Sequence, residues 1–184
     1  FDRKNYYYAD LPKGYQITQM TKPFGKNGYL DIEVNGEVKR CLIHQIHLEE
    51  DSASMAHYDD YSLLDYNRAG VPLIEIVTEP VFTGVDDVIE FLENLRNIIK
   101  YTNVSEASSE KGQIRVDVNI SLKPKGSNVL GTRSEIKNIN SFSTVKEVII
   151  SEIKRQEEVL MSGGVIKQET RRWVDTEKKT VSMR

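Results

Sequence analysis

The sequence predicts an α+β fold: a largely antiparallel sheet with two main helices. Three observations carry that prediction. In residues 112–122 every second residue from Ile114 is apolar, and after a Lys/Pro/Gly/Ser/Asn loop the chain resumes at 133–140 with Arg133, Glu135 and Lys137 on one face; strict alternation marks a strand with one buried face. Asn35-Gly36 joins two further alternating runs, the strongest short hairpin signal. Segments 83–101 and 144–161 space their apolar residues at helical period. Strand pairs that alternate with helices suit an α+β fold. No strand–Gly-rich loop–helix unit is present, so neither a Rossmann nor a P-loop nucleotide site is supported.

Taken in order, residues 1–8 are dense in polar and aromatic groups. Arg3 and Lys4 stand beside Tyr6, Tyr7 and Tyr8, a combination able to hold phosphate and stack on a ring; a solvated arm with packed tyrosines is the other reading. Leu11-Pro12-Lys13-Gly14 is a turn, and 15–20 a short strand. Strands 29–34 and 37–49 flank Asn35-Gly36, and the second runs into His47, Glu49, Glu50 and Asp51. His47 and Glu49 share a face by period two, and an oxygen-rich cluster with one His suits Mg²⁺ or Mn²⁺. An ordinary acidic loop start is the alternative. Residues 62–66 form a short strand, 67–70 a loop and 71–77 a buried strand. Glu75 interrupts that apolar run and needs a partner, for which Arg68 is a candidate.

Residues 83–101 form the first helix, with Thr83 and Asp86 as a capping-box variant and Val88, Leu92, Leu95 and Ile99 as its apolar stripe. Residues 144–161 form the second, with Thr144 and Glu147 as the box and Gly163-Gly164 as the stop. Its stripe is Val145, Val148, Ile149, Ile153 and Leu160. A last hairpin joins 165–174 to 180–183, with Arg171, Arg172 and Trp173 forming either an anion or RNA contact or an exposed strand with a half-buried Trp.

The most informative stretch lies between the helices. Between the apolar residues of 112–122 stand Arg115, Asp117 and Asn119, and the returning strand carries Arg133, Glu135 and Lys137. A loop symmetric about Gly126 sets Asp117 opposite Glu135 and Arg115 opposite Lys137. Like charges directly opposite destabilise a sheet. A cation between the carboxylates and an anion between the bases removes both conflicts, and a metal with a nucleotide phosphate supplies that pair. A wetted pair whose diagonal Arg–Asp and Lys–Glu contacts cancel the repulsion is equally consistent with the pattern.

Composition narrows the classes. The chain has 184 residues without linker, repeat or low-complexity tract and reads as one domain, 1–184. A net charge of −3 gives no overall attraction for nucleic acid, so an RNA partner requires a local basic patch or another chain. Cys41, the single cysteine, excludes an internal disulfide and reads as a core residue. No apolar run reaches membrane-spanning length and no signal peptide stands at the start. Neither G-x-S-x-G nor a Cys–His pairing for nucleophilic catalysis is present. The first residue is Phe1, in mid-motif, so the sequence reads as a fragment.

Seven ordered runs resemble the GatB/GatE family: D-R-K-N-Y from Asp2, L-P-K-G-Y-Q-I-T-Q from Leu11, H-L-E-E-D from His47, L-D-Y-N-R-A-G-V-P-L-I-E-I-V from Leu64, R-V-D-V-N-I-S from Arg115, E-I-K-N-I-N-S-F from Glu135 and Q-E-T-R from Gln168. The resemblance implies a cradle-like catalytic domain similar to the glutamine synthetase and guanido kinase core. It implies ATP- and Mg²⁺-dependent phosphorylation of the side-chain carboxylate of misacylated Glu-tRNA(Gln) or Asp-tRNA(Asn), then amidation by ammonia. The implied partners are an amidase-type A subunit, a small C subunit and the tRNA. The implied compartment is bacterial cytoplasm, with the mitochondrial matrix second. By the family pattern, metal binding falls on Glu49, Glu50, Asp117 and Glu135, with Glu50 the foremost direct ligand. Phosphate contact falls on Arg3, Lys4, Arg115 and Lys137, and Lys4 with Glu50 marks where ammonia enters. The family's G-L-E-x-H segment, a D-Y-R-Y-F-P run and the tRNA-gripping regions are not in this sequence, so the fragment alone is expected to be inactive. The competing expectations are another ATP-dependent carboxylate–amine ligase and a non-catalytic RNA-binding or scaffold domain.

Overall fold

The computed structural model describes residues 1–183, with Asn138 described by its backbone alone. Among the described residues, eleven strands and two helices run in the order β1 (Asp2–Asn5), β2 (Tyr15–Thr18), β3 (Gly25–Val34), β4 (Glu37–Glu50), β5 (Ser54–His57), β6 (Ser62–Asp65), β7 (Pro72–Thr78), α1 (Val85–Tyr101), β8 (Val116–Ile120), β9 (Ser134–Ile139), α2 (Phe142–Met161), β10 (Glu169–Val174) and β11 (Lys179–Ser182). The mixed, mainly antiparallel character and the two helices follow the sequence expectation. The strands form four sheets instead of one, and β9 and β10 pair in parallel.

The chain divides into two compact units, Phe1–Asp31 with Val38–Val81, and Ile32–Glu37 with Phe82–Arg184. In the first, β1 and β2 make an antiparallel ribbon, β5 and β6 another, and β4 pairs with β7. Leu11, Cys41, Ile43 and Ala53 are buried there, with Thr18, so Cys41 is the core residue expected. The β3–β4 hairpin turns at Asn35-Gly36, whose φ angles of 55° and 79° suit a type I′ turn. The β7 segment is less buried than its apolar run suggests: Ile74 is 45% exposed. The Glu75 side chain is also half exposed, and its partner is His47, while Arg68 pairs with Asp51. The β5 strand, Ser54–His57, has too few apolar residues to be read from alternation.

In the second unit a sheet ordered β11-β10-β9-β8 carries α2 on one face. Ile136, Ile139, Val145 and Val148 form its dry centre, each no more than 1% exposed. The α2 helix begins two residues before the predicted start, because Ser141, not Thr144, is its N-cap: the Ser141 hydroxyl accepts from the Thr144 amide at 3.1 Å. Glu147 pairs with Lys178 instead of closing a capping box. Gly163, with φ of 79°, ends the helix as expected, but Leu160 is largely exposed. At α1 the N-cap is Gly84, and Asp87, not Asp86, receives the Thr83 hydroxyl at 3.3 Å.

The register of the β8–β9 pair departs from the symmetric-loop expectation. Asn119 lies opposite Glu135 and Ile120 opposite Ser134, and a bulge between Val116 and Val118 holds Asp117. The shift is by two residues, so the exposed face keeps the same side chains. The like charges no longer meet, because Lys137 sits 3.7 Å from the Asp117 carboxylate and 3.5 Å from that of Glu135.

Candidate functional site

In the first unit the β4–β7 ladder sets His47 opposite Glu75 and Glu49 opposite Leu73. Period two therefore puts His47, Glu49 and Glu75 on one face. The His47 ring is buried, with Nε2 3.0 Å from Glu49 Oε1 and 2.9 Å from Glu75 Oε2. The Gln45 amide nitrogen faces Nδ1 at 3.4 Å. With the amide in this orientation Nδ1 accepts and Nε2 donates to the carboxylates; with the amide turned over, Nδ1 donates and Nε2 offers its lone pair. The three ligand atoms lie within 4.8 Å of one another, and with the ring proton on Nδ1 this oxygen-rich set with one imidazole fits Mg²⁺ or Mn²⁺.

The β2 strand supports the cluster. The Thr18 hydroxyl donates to Glu49 Oε1 at 3.0 Å, and the Gln16 amide donates to Glu49 Oε2 at 3.4 Å and to the Glu50 carbonyl at 2.7 Å. Glu50 is held separately: the Ile17 amide donates to its Oε1 at 2.6 Å, and the Lys13 ammonium pairs with the same oxygen. Burial pushes the Glu50 carboxyl up, but Lys13 and the Ile17 amide together outweigh it and hold it below the ordinary carboxylate range. Lys4 lies opposite Gln16 in the β1–β2 ladder and shares its face. Arg3 turns the other way, its guanidinium 4.8 Å from the centre of the Tyr15 ring.

In the second unit Asn119, Glu135 and Thr170 stand in one row across β8, β9 and β10. The Thr170 hydroxyl donates to Glu135 Oε2 at 3.1 Å. A cavity of about 250 Å³ opens there, lined by Asn119, Arg133, Glu135, Gln168, Glu169 and Thr170. Asp117 and Glu135 share Lys137 as counter-ion. Arg172 lies beside Lys137 in the parallel ladder and is exposed. Arg171 is buried against Glu169 and Thr180, so of the Arg171-Arg172 pair only Arg172 offers a solvent-facing charge. Arg115 lies just ahead of β8.

The sequence-predicted residues thus fall into two groups. Arg3, Lys4, Glu49 and Glu50 belong to the first unit; Arg115, Asp117, Glu135 and Lys137 belong to the second. Glu75 escapes sequence reasoning as a member of the first group because its place in an apolar run suggests burial. Lys13, Gln16 and Thr18 escape it too, although the L-P-K-G-Y-Q-I-T-Q run contains all three.

These groups define a class of protein: an α+β domain whose polar chemistry sits on open sheet faces and is dominated by clustered carboxylates with nearby lysines. Comparison with known proteins gives the family. The model of the GatB/GatE catalytic domain matches residues 1–184, and the chain belongs to that family. It is 54% identical over 184 residues to the B subunit of the aspartyl/glutamyl-tRNA(Asn/Gln) amidotransferase of Macrococcus caseolyticus, covering 100% of this chain and 39% of that protein. It is 54% identical over 185 residues to the protein of that name from Geobacillus thermodenitrificans, again covering 100% and 39%. For the Caldicellulosiruptor saccharolyticus protein the identity is 55% over 185 residues, covering 100% and 38%. The chain therefore spans well under half the length of these relatives.

Proposed function

We propose that this chain is catalytic-domain sequence of an amidotransferase B subunit that converts misacylated Glu-tRNA(Gln), Asp-tRNA(Asn) or both to the amidated forms used in translation. The carboxylate to be amidated is a poor acyl donor until it is phosphorylated. ATP supplies the phosphoryl group and Mg²⁺ neutralises charge around it when both are bound. Ammonia comes from an amidase-type A subunit, a small C subunit completes the assembly, and the compartment is bacterial cytoplasm. The accompanying fold is a cradle similar to the glutamine synthetase and guanido kinase core.

The observation that carries this reading is the convergence of His47 Nε2, Glu49 Oε1 and Glu75 Oε2. Two carboxylates held against one imidazole need a cation or a shared proton, and these donors suit the divalent ion that phosphoryl transfer requires. Glu49 and Glu75 hold it with His47 in the first unit, and Glu50, kept ionised by Lys13, adds negative charge beside them. Asp117 and Glu135 provide oxygen donors in the second unit, while Arg3, Lys4, Arg115 and Lys137 take up phosphate charge. Lys4 with Glu50 marks the ammonia entry.

The test uses the intact natural subunit assembled with its partners. Glu75→Gln and Glu135→Ala are each expected to abolish amidation of misacylated tRNA while glutamine hydrolysis continues. Unchanged amidation in both variants overturns the reading.

A further inference from the structure

The N-terminal region differs in character from the rest of the chain. Residues 1–26 contain five Lys or Arg against two Asp and no Glu, in a chain of net charge −3. They also contain four of the nine tyrosines. Tyr6, Tyr7 and Tyr8 are 44%, 84% and 49% exposed, which is unusual for three successive rings that could instead pack on their own domain.

The turn that carries these rings is held in place. The Tyr6 amide donates to the Gly14 carbonyl at 3.1 Å and closes the turn on itself. The Cδ1–Cε1 edge of the Tyr7 ring stands against Gly14, where an added Cβ would come 3.1 Å from Cε1, and Gly14 has φ of +74°. One edge of the Tyr7 ring thus meets the turn while the residue remains 84% exposed. Arg3 and Lys13 each sit 4.8 Å from the centre of the Tyr15 ring, a cation–π arrangement that fixes where their charges stand. Lys4 is exposed on the other pleat of the same ribbon.

The geometry points to this turn and the β1–β2 ribbon as a stacking platform for unpaired terminal nucleotides of an RNA. Exposed rings stack on bases, and cations on the same segment take the phosphates. A duplex keeps its bases stacked on each other and offers the rings nothing comparable. The platform ends at the carboxylates: Lys13 pairs with Glu50, and Gln16 reaches Glu49 and the Glu50 carbonyl. Lys13, next in sequence to the Gly14 that Tyr7 touches, thus joins the platform to Glu50. This rests on the tRNA reading above and adds to it the residues that seat the acceptor end.

The test measures binding by the intact natural protein, without ATP or divalent metal, of a fluorescent single-stranded RNA octamer ending in CCA and of a blunt RNA duplex. Tyr7→Ala is expected to weaken octamer binding about five- to one-hundredfold, and Tyr7→Phe to leave it within about twofold. Replacing Arg3 and Lys4 by Met should reduce the slope of log K against log salt by about 1.4, at roughly 0.7 per cation. Octamer binding indifferent to Tyr7→Ala overturns the platform, as does an equal loss for octamer and duplex. Loss of subunit association in Tyr7→Ala with octamer binding unchanged also overturns it, in favour of a protein-docking face. Binding is read apart from chemistry, so Tyr7-dependent binding by a protein inactive in amidation overturns the amidotransferase reading alone.

Discussion

Removing the Glu152 carboxylate should cost more stability than any other single truncation in the second unit. Glu152 lies on α2 with a fully buried side chain. It accepts from Arg155 Nε at 2.9 Å, Arg155 Nη2 at 2.6 Å, Gln156 Nε2 at 3.0 Å and Thr180 Oγ1 at 2.7 Å, and Arg171 Nε stands 3.6 Å away. Glu152→Ala leaves two guanidinium groups, an amide and a hydroxyl facing a hole. Breaking a buried pair from one side costs about 3–5 kcal/mol, against a typical total of roughly 5–15 kcal/mol. Glu152→Gln keeps the shape but loses the charge and turns one acceptor into a donor, for a cost of about 1.5–3 kcal/mol. Urea unfolding followed by fluorescence of Trp173, which lies on β10 in the same unit, reads both. With m near 2 kcal/mol/M, the alanine variant should lower the midpoint by about 1.5–2.5 M. Burial pushes the Glu152 carboxyl up, but Arg155, Gln156 and Thr180 prevail and hold it below the ordinary range. The unfolded chain then binds the proton more readily, so this stability is present above the ordinary carboxylate pKa of about 4.3 and is lost as pH falls through the depressed folded value. An alanine variant within about 1 kcal/mol of the parent, with the same acid sensitivity, would refute the reasoning.

Two smaller perturbations test local claims. Ser141→Ala should cost about 1 kcal/mol through the lost cap, with Ser141→Asp recovering most of it in the same urea titration; a neutral alanine variant would return the cap to Thr144. Lys13→Met should move the Glu50 carboxyl upward in a carbon-detected NMR titration, because the ammonium that offsets its burial is gone; an unmoved titration would leave the Ile17 amide as the controlling contact.

Period and turn chemistry are legible in the sequence because they are local. The Asn35-Gly36 turn, the alternation from Ile114 to Ile120, the α2 stripe at Val145, Val148 and Ile149 and the Gly163 stop all depend on residues a few positions apart. Partnerships across the chain are not legible in this way. His47 and Glu49 can be placed on one face by counting, but their meeting with Glu75 depends on the β4–β7 register, which no local pattern fixes. Arg68 looks like the partner of Glu75 by proximity in sequence, yet it serves Asp51. The parallel β9–β10 pair is invisible for the same reason: α2 lies between its strands, and only the completed sheet shows their order.

The register of β8 and β9 also changes where a bound cation is needed. With Asp117 opposite Glu135, the repulsion itself asks for one. In the folded sheet Lys137 stands between those carboxylates and already supplies it. A divalent ion at Asp117 and Glu135 must therefore displace that ammonium or share the carboxylates with it. At His47, Glu49 and Glu75 no cationic side chain stands between the donors among the described residues, and a metal on Nε2 needs only the ring tautomer with the proton on Nδ1 and the Gln45 amide turned to accept it. The physical case for a resident cation is accordingly stronger in the first unit. In the second unit the Lys137 ammonium, 3.7 Å from the Asp117 carboxylate and 3.5 Å from that of Glu135, answers their repulsion and so stabilises the sheet itself.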